Sequence, residues 1–143
     1  MIMIYIRNLQ KKDAPEVALL IAQLTQNIVE PRQLIRRIGD LPLQKNSVFL
    51  VAIINNEIIG FAGLAWYIIP SKGLIGWIEE VVVDEKCRGQ GIAGKLMKNL
   101  LLQAKKKKIR VLKLTVSNPV AKELYESLGF TKKDSEYLFK NLF

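Results

Sequence analysis

Residues 77–96 read WIEEVVVDEKCRGQGIAGKL, and their pattern changes character twice. Trp77 to Val83 is rich in β-branched and aromatic side chains, the composition of a strand. Asp84 to Lys86 is a charged turn, and glycines follow at 89, 91 and 94. Beyond them Ile92, Leu96, Leu100 and Ala104 recur at helical spacing, with Ala93, Met97 and Leu101 beside them. That stripe predicts an amphipathic helix over about 91–107. A strand that passes through a glycine turn into a helix argues for an α+β chain.

The same change of period runs outward in both directions. Upstream, Tyr5 and Arg7 alternate with Ile4, Ile6 and Asn8 in a short opening strand. A helix is predicted from Lys11, with Val17, Leu20, Ile21 and Leu24 on one face, Pro15 in its first turn and Asp13 as its cap. A second short helix covers Arg32 to Ile38. Val48 to Ile54 is a β-branched run, and Asn55-Asn56 turns it back into a strand from Ile58 to Tyr67. Pro70 to Gly73 turns again, into a strand from Leu74 to Val83.

Downstream, Val111, Leu112, Leu114 and Val116 predict a buried strand. Asn118-Pro119 opens a helix carrying Ala121, Leu124, Tyr125 and Leu128, and Gly129 stops it. Phe130 to Phe143 reads as one or two further strands, with Tyr137 structural. The order is β-α-α-β-β-β-α-β-α-β, an α+β fold with a mixed sheet, in one domain over 1–143.

Composition removes several kinds of chemistry. The 143 residues suffice for one domain, since a chain of about 150 buries roughly two-thirds of its unfolded surface. With no His, neither a Ser-His-Asp nor a Cys-His nucleophile system can be built, nor a His-ligated zinc site. One Cys makes neither an internal disulfide nor a Cys-rich metal site, which suits a reducing cytoplasm. The longest uncharged run, Ile58 to Ser71, falls short of the ~20 residues that span a bilayer. The start of the chain lacks the basic region and cleavage site of a signal peptide, so neither membrane nor export is expected.

Charge is divided unevenly. Residues 1–85 hold 8 basic and 9 acidic side chains; residues 86–143 hold 14 and 4. The second half therefore calls for an anion, whether nucleic acid, membrane surface or phosphorylated cofactor. The glycine turn offers a place for one. Glycines let the backbone approach a ligand closely, and the free N–H groups and dipole of a helix start hold negative charge. Pyrophosphate fits that description, and Arg88 and Lys95 add formal positive charge beside it. Gly94-Lys95 is followed by Leu, which excludes a P-loop, and the downstream acid of a dinucleotide fold is missing.

The run Val83-Asp-Glu-Lys-Cys-Arg88-Gly89-Gln90-Gly91-Ile92-Ala93 resembles the acetyl-CoA-binding signature of the GNAT N-acetyltransferases, Arg/Gln-x-x-Gly-x-Gly/Ala. Asn118-Pro-Val-Ala121-Lys-Glu-Leu124-Tyr125-Glu-Ser-Leu-Gly129-Phe130 resembles their second signature, Asn-x-x-Ala-x-x-Leu-Tyr-x-x-x-Gly-Phe. Two signatures in the right order, one helix and one strand apart, carry far more weight than either alone. The likeness is close over about 74–132 and extends through the element order to nearly the whole chain.

The resemblance implies a mostly antiparallel central sheet flanked by helices, with acetyl-CoA as co-substrate and no metal. It places the CoA pyrophosphate on the backbone amides around Arg88, Gly89, Gln90, Gly91, Ile92, Ala93, Gly94 and Lys95, and the pantetheine arm along Val81, Val82 and Val83. A backbone N–H there would face the thioester oxygen, a donor whose loss typically costs ~10²–10³ in rate. The implied reaction is direct attack of an amine on the thioester, and an amine near the Lys pKa must lose a proton first. Without His a carboxylate must take it. Glu79 is the first choice as general base and Glu80 the second, because strand alternation puts Glu79 on one face with Val81 and Val83. Tyr125 stands at the family's general-acid position, where its phenol would protonate the departing thiolate; it also counts among the cofactor contacts. Asn118 can hydrogen-bond the pantetheine arm, cap the helix, or do both.

Other features take plainer readings. Cys87 lacks a His partner and is not expected to be a nucleophile. Trp66, Tyr67 and Trp77 could line the acceptor pocket, though core packing is the preferred use of each. Lys105 to Lys108 reads as a solvated helix end rather than a nucleic-acid contact. Paired subunits are common in the family. The expected function is acetyl transfer from acetyl-CoA to a small-molecule or protein amine; the competing reading is a module that senses acyl-CoA or binds nucleic acid without turnover. The acceptor region, about 24–47 and 66–74, matches no pattern.

Overall fold

The structure, a computed structural model, describes residues 3–25 and 30–143. Within the acceptor region, positions 26–29 lie outside the described residues. Strand β1 (Tyr5–Asn8) is followed by helices α1 (Ala14–Leu24) and α2 (Pro31–Asp40), then by strands β2 (Ser47–Ile54), β3 (Glu57–Ile69) and β4 (Gly73–Val83). Helix α3 (Ile92–Lys106), strand β5 (Val111–Lys113) and helix α4 (Pro119–Ser127) complete it. The strands lie in one sheet in the order β1-β2-β3-β4-β5, antiparallel except for the parallel β4/β5 pair. Among the described residues no helix is long and apolar enough to cross a membrane.

Local chemistry explains most boundaries. Asn55 and Asn56 both take positive φ, 49° and 65°, the left-handed pair that a tight hairpin between β2 and β3 requires. Glu30 caps α2 by accepting from the N–H groups of Arg32 and Gln33. Asp13 behaves differently from its expected role as the cap of α1. A short 3₁₀ turn, Lys11–Asp13, precedes the helix, and the buried Asp13 carboxylate meets Arg7 in two bonds of 2.7 and 2.9 Å while accepting from the Gln10 N–H. Burial alone would raise its pKa; the Arg7 and Gln10 hydrogen bonds outweigh that and hold the carboxyl below its usual range. The side chain ties β1 to α1 instead of capping the helix.

The two faces of the sheet carry separate cores. Val17, Leu20 and Ile21 of α1 and Ile38 of α2 pack with Val51, Phe61 and Val82. On the other face Ile92, Leu96, Met97 and Leu100 of α3 pack with Leu50, Ala62, Leu64 and Ile78, and Tyr125 of α4 joins them. Gly60 permits the second contact, since a Cβ there would sit 3.1–3.2 Å from Leu96, Ala52 and Ile92.

Two expectations for the end of the chain are corrected. The buried strand around Val111 to Val116 shrinks to three residues, with Leu112 and Leu114 half-buried and Val111 and Val116 exposed. It pairs with β4 only through Ile75↔Val111, Gly76↔Leu112 and Trp77↔Lys113, and with no ladder beyond Trp77 nothing buries the rest. The strands expected over 130–143 are not formed; residues 131–143 are all exposed, including Tyr137. Phe130 is held back on α4, its N–H donating to the Tyr125 carbonyl at 3.1 Å and its ring edge-on to Tyr125. No ladder joins this segment to the sheet, although the outer edge of β5 is unpaired among the described residues.

Candidate active site

Strand β4 carries an irregularity that strict alternation does not foresee. Gly63 of β3 faces Glu79 and Phe61 faces Val82, so one residue of β3 stands opposite two of β4, Glu80 and Val81. Glu80 takes φ +49°, a left-handed conformation in which a non-glycine residue is strained. The extra residue inverts the side-chain parity beyond it. Glu79 therefore shares its face with Val82, towards α1 and α2, whereas Val81 and Val83 turn to the α3 face. This corrects the expectation that Glu79 lies with Val81 and Val83. Two adjacent charged residues in an otherwise apolar strand were the signal, because period-2 alternation has no place for both.

Past Trp77, β4 has lost its neighbour β5, and the edge of Ile78–Val83 is free of any strand on that side among the described residues. Half of its backbone N–H and C=O groups point into this opening. The strand then enters the glycine turn. Asp84 accepts from the Lys86 N–H at 3.0 Å, the Arg88 Nε donates to the Val83 carbonyl at 3.1 Å, and Gln23 of α1 accepts from the Glu85 N–H at 3.0 Å. These bonds hold the turn against the end of β4. Gly89 and Gly91 take φ +82° and +77°, and a Cβ at either would meet nothing, so conformation rather than crowding demands glycine.

Gly91 is the N-cap of α3 and has no side chain to offer, and the first helical amide bond closes from the Lys95 N–H to the Gly91 carbonyl. Among the described residues no acceptor meets the N–H groups of Ile92, Ala93 or Gly94. They form an anion site at the positive end of a helix dipole. Arg88, Gly89, Gln90 and Lys95 surround it as exposed residues; the Ile92 side chain is buried in the core, so only its backbone faces the site. The residues fit a pyrophosphate beside an extended arm laid against β4.

The two candidate proton carriers flank the opening from both faces. Glu79 lies on the α1/α2 face; desolvation, ahead of the repulsion from Glu80, pushes its pKa up from the ordinary carboxylate value. Tyr125 lies on the α3 face at 8 % exposure, and burial pushes its phenol up, so it stays protonated at neutral pH. Among the described residues its hydroxyl has no hydrogen-bond partner, yet it is not a fully buried orphan, so it reaches open space. Asn118 caps α4, its Oδ1 accepting from the Val120 and Ala121 N–H groups at 2.8 and 3.2 Å.

Two of the three aromatic residues, Tyr67 and Trp77, depart from their expected core use, and Trp66 keeps it. Tyr67 is exposed and Trp77 half-buried on the Glu79 face, where the Trp77 Nε1 donates to the Tyr67 hydroxyl at 3.3 Å and Lys113 stands 5.7 Å from the Trp77 ring. Trp66 packs half-buried on the opposite face under the Lys107 ammonium, 4.4 Å from its ring. Sequence reasoning missed the contribution of Gly63: Phe49 lies on it, stacked on Phe61, so a Cβ there would fall 2.3 Å from the ring. That pair walls the α1/α2 face beside Glu79. Among the described residues no three His, Cys, Asp or Glu side chains gather as metal ligands.

Known proteins share this fold. Residues 45–132 match the acetyltransferase (GNAT) domain family. An uncharacterised N-acetyltransferase of Methanocaldococcus jannaschii is 33 % identical over 90 residues, covering 60 % of this chain and 40 % of that protein's length. Among solved structures, an acetyltransferase of Trypanosoma brucei is 25 % identical at a TM-score of 0.82, covering 97 % of this chain and all of that one. An acetyltransferase of Clostridium acetobutylicum solved with acetyl-CoA is 26 % identical at 0.77, covering 98 % and 97 %. The matched span runs from β2 to just past α4 and so contains the bulged strand, the glycine turn and Tyr125 alike. With the mixed sheet and both signatures in register, the chain belongs to the GNAT acetyltransferase family.

Proposed function

We propose that the protein transfers an acetyl group from acetyl-CoA to a primary amine by direct attack, with no acyl-enzyme. The observation that carries this reading is the coincidence, at the end of β4, of an unpaired strand edge with a turn of unpaired N–H groups. Acetyl-CoA supplies the electrophile, an acyl thioester on a long arm that ends in a pyrophosphate. The amides of Ile92, Ala93 and Gly94 hold the phosphate charge, and the β4 edge at Val81–Val83 receives the arm and lends an N–H to the thioester oxygen.

Glu79 takes the proton from the attacking amine, directly or through a water, with Glu80 in reserve. Desolvation raises the Glu79 pKa above the ordinary carboxylate value, the direction that makes it a stronger base. The new C–N bond forms as the C–S bond breaks, and the Tyr125 hydroxyl gives its proton to the leaving sulfur. The base and the acid lie on opposite faces of the sheet, so the amine and the thiol can reach the reacting carbon from opposite sides. Cys87, half-buried against the α3-face core, has no place in this path. The single cysteine supports a cytoplasmic setting for the enzyme.

Thiol release from acetyl-CoA against a panel of small amines, peptide N-termini and lysine peptides tests the reading. Turnover without a burst is expected with at least one class. CoA binding with no turnover on any amine would mark an acyl-CoA-binding module instead, and a salt-sensitive shift of DNA or RNA a nucleic-acid one.

A further inference from the structure

Tyr67 and Trp77 belong to neither core, although packing would normally bury rings of their size. Both stand on the Glu79 face of the sheet, Tyr67 47 % exposed and Trp77 half-buried. The Trp77 Nε1 is already spent on the Tyr67 hydroxyl at 3.3 Å, so the indole has its ring left to offer. Ala65, opposite Trp77 on β3, is too small to cover that ring. Phe49, lying over Gly63, closes the side towards α1 and α2. The result is an open aromatic shelf that runs along β4 up to Glu79.

Two opposite charges border the shelf. Glu79 is exposed two residues beyond Trp77, and Lys113 lies directly across from Trp77 on β5. Lys113 shares this face because Leu112 and Leu114 on either side of it turn to the α3 core. Its ammonium stands 5.7 Å from the Trp77 ring, close to the ~6 Å limit of a cation–π contact, so the ring holds it weakly. Among the described residues neither Glu79 nor Lys113 is in an ion pair, with each other or with any other group. Strand spacing sets their backbone positions about 8 Å apart. Opposite charges held apart beside a bare ring are the complement of an amine that also carries an anion. The β4/β5 ladder ends at this same pair, so the shelf opens onto the edge assigned above to the acetyl-bearing arm.

We infer that Tyr67, Trp77 and Lys113 select the acceptor, a compact primary amine with a carboxylate or phosphate roughly 5–8 Å from its nitrogen and a flat body between the two. The amine is drawn to Glu79, the body lies on the Trp77 ring, and the anion meets Lys113. Lys113 also repels a second cation, so polyamines and lysine-rich peptides are poor acceptors. This inference rests on the acetyl-transfer reading and names its acceptor.

Thiol release is compared for 4-(aminomethyl)benzoate, its neutral carboxamide, 4-(aminomethyl)phenylphosphonate and spermidine. Each anionic amine is expected to exceed the carboxamide in kcat/KM by about tenfold, the worth of one charge-assisted hydrogen bond, chiefly through KM. Either order of the two anions supports the inference, and the faster one tells a carboxylate acceptor from a phosphorylated one. Lys113→Gln should bring the ratio of anionic to neutral amine close to one, and Lys113→Arg should keep it. CoA affinity, measured on both variants, shows that each is folded. Equal turnover of charged and neutral amines overturns the inference, as does a preference that survives Lys113→Gln, or spermidine as the fastest acceptor. If no amine is turned over, the acetyl-transfer reading fails by itself, and selection is read from binding. In a Trp66→Phe background Trp77 is the one remaining indole. Saturable quenching of its fluorescence by 4-(aminomethyl)benzoate with CoA present, lost with the carboxamide and in Lys113→Gln, would keep the selection; the same response to all of them would overturn it.

Discussion

The two halves of β4 belong to one continuous strand and differ in how they are paired. From Gly73 to Trp77 the strand lies between β3 and β5, with both edges paired and Gly76 packed under Leu112 and Leu64. From Ile78 to Val83 it keeps β3 but loses β5, swallows an extra residue at Glu80 and ends in the glycine turn. Pairing makes the first half scaffold. Loss of pairing leaves the second half with backbone groups free for a ligand, which is the use proposed for it.

The largest effect is expected where the open half meets the proton path. Glu79→Gln and Tyr125→Phe should each lower kcat by about 10²-fold or more. In the wild type, kcat falls on acidification as Glu79 takes up its proton at a raised pKa, and the Gln variant should lose that limb. A superimposable pH profile would remove Glu79 from the mechanism, and full turnover by the Phe variant would remove Tyr125. Stability moves little: a raised folded pKa stabilises below it and is lost as pH rises through it, so Glu79→Gln is neutral in acid and slightly stabilising at neutral pH.

A substitution in the paired half should do the reverse. At Gly76 a Cβ would fall 2.9 Å from Leu112 and 3.1 Å from Leu64, so Gly76→Val should cost about 1–3 kcal/mol by overpacking, read as a loss in Tm. The folded fraction should keep its kcat. A comparable loss in kcat at permissive temperature would show the two halves to be coupled.

The bulge itself is tested by Glu80→Gly. Relief of the left-handed φ, less the added chain entropy, should raise stability by about 0.5–1 kcal/mol in denaturant unfolding, whereas Glu80→Val should lower it. A destabilised glycine variant would mean that the bulge carries no strain. The smallest change is Gly94→Ala. A Cβ there makes ordinary contact with Leu124 at 3.6 Å, so helix propensity should add up to ~1 kcal/mol while CoA affinity, which uses the backbone N–H, stays put. A CoA affinity reduced tenfold would place the ligand close against the Gly94 Cα.

The glycine turn was legible because its chemistry is local. Gly89 and Gly91 answer to φ angles set by their own residues, and the strand before and the helix after announce themselves by period. The hairpin at Asn55-Asn56 and the cap at Asn118 were legible for the same reason. The role of Asp13 was not, since its partner Arg7 lies on another element and draws the carboxylate away from the helix it was expected to cap. Nor was the face of Glu79, which depends on a register shift against β3.

By itself the sequence determined most of the elements, the glycine turn and the family signatures, and it named Glu79 and Tyr125 as candidate proton carriers, all of which are properties of contiguous residues or of what the composition lacks. Only the tertiary structure decided which face Glu79 occupies, where β5 leaves β4, that Asn118 serves the helix, and that residues 131–143 remain outside the sheet. Each of these depends on which backbone groups find partners across the sheet, and pairing between distant strands is not written in any one of them.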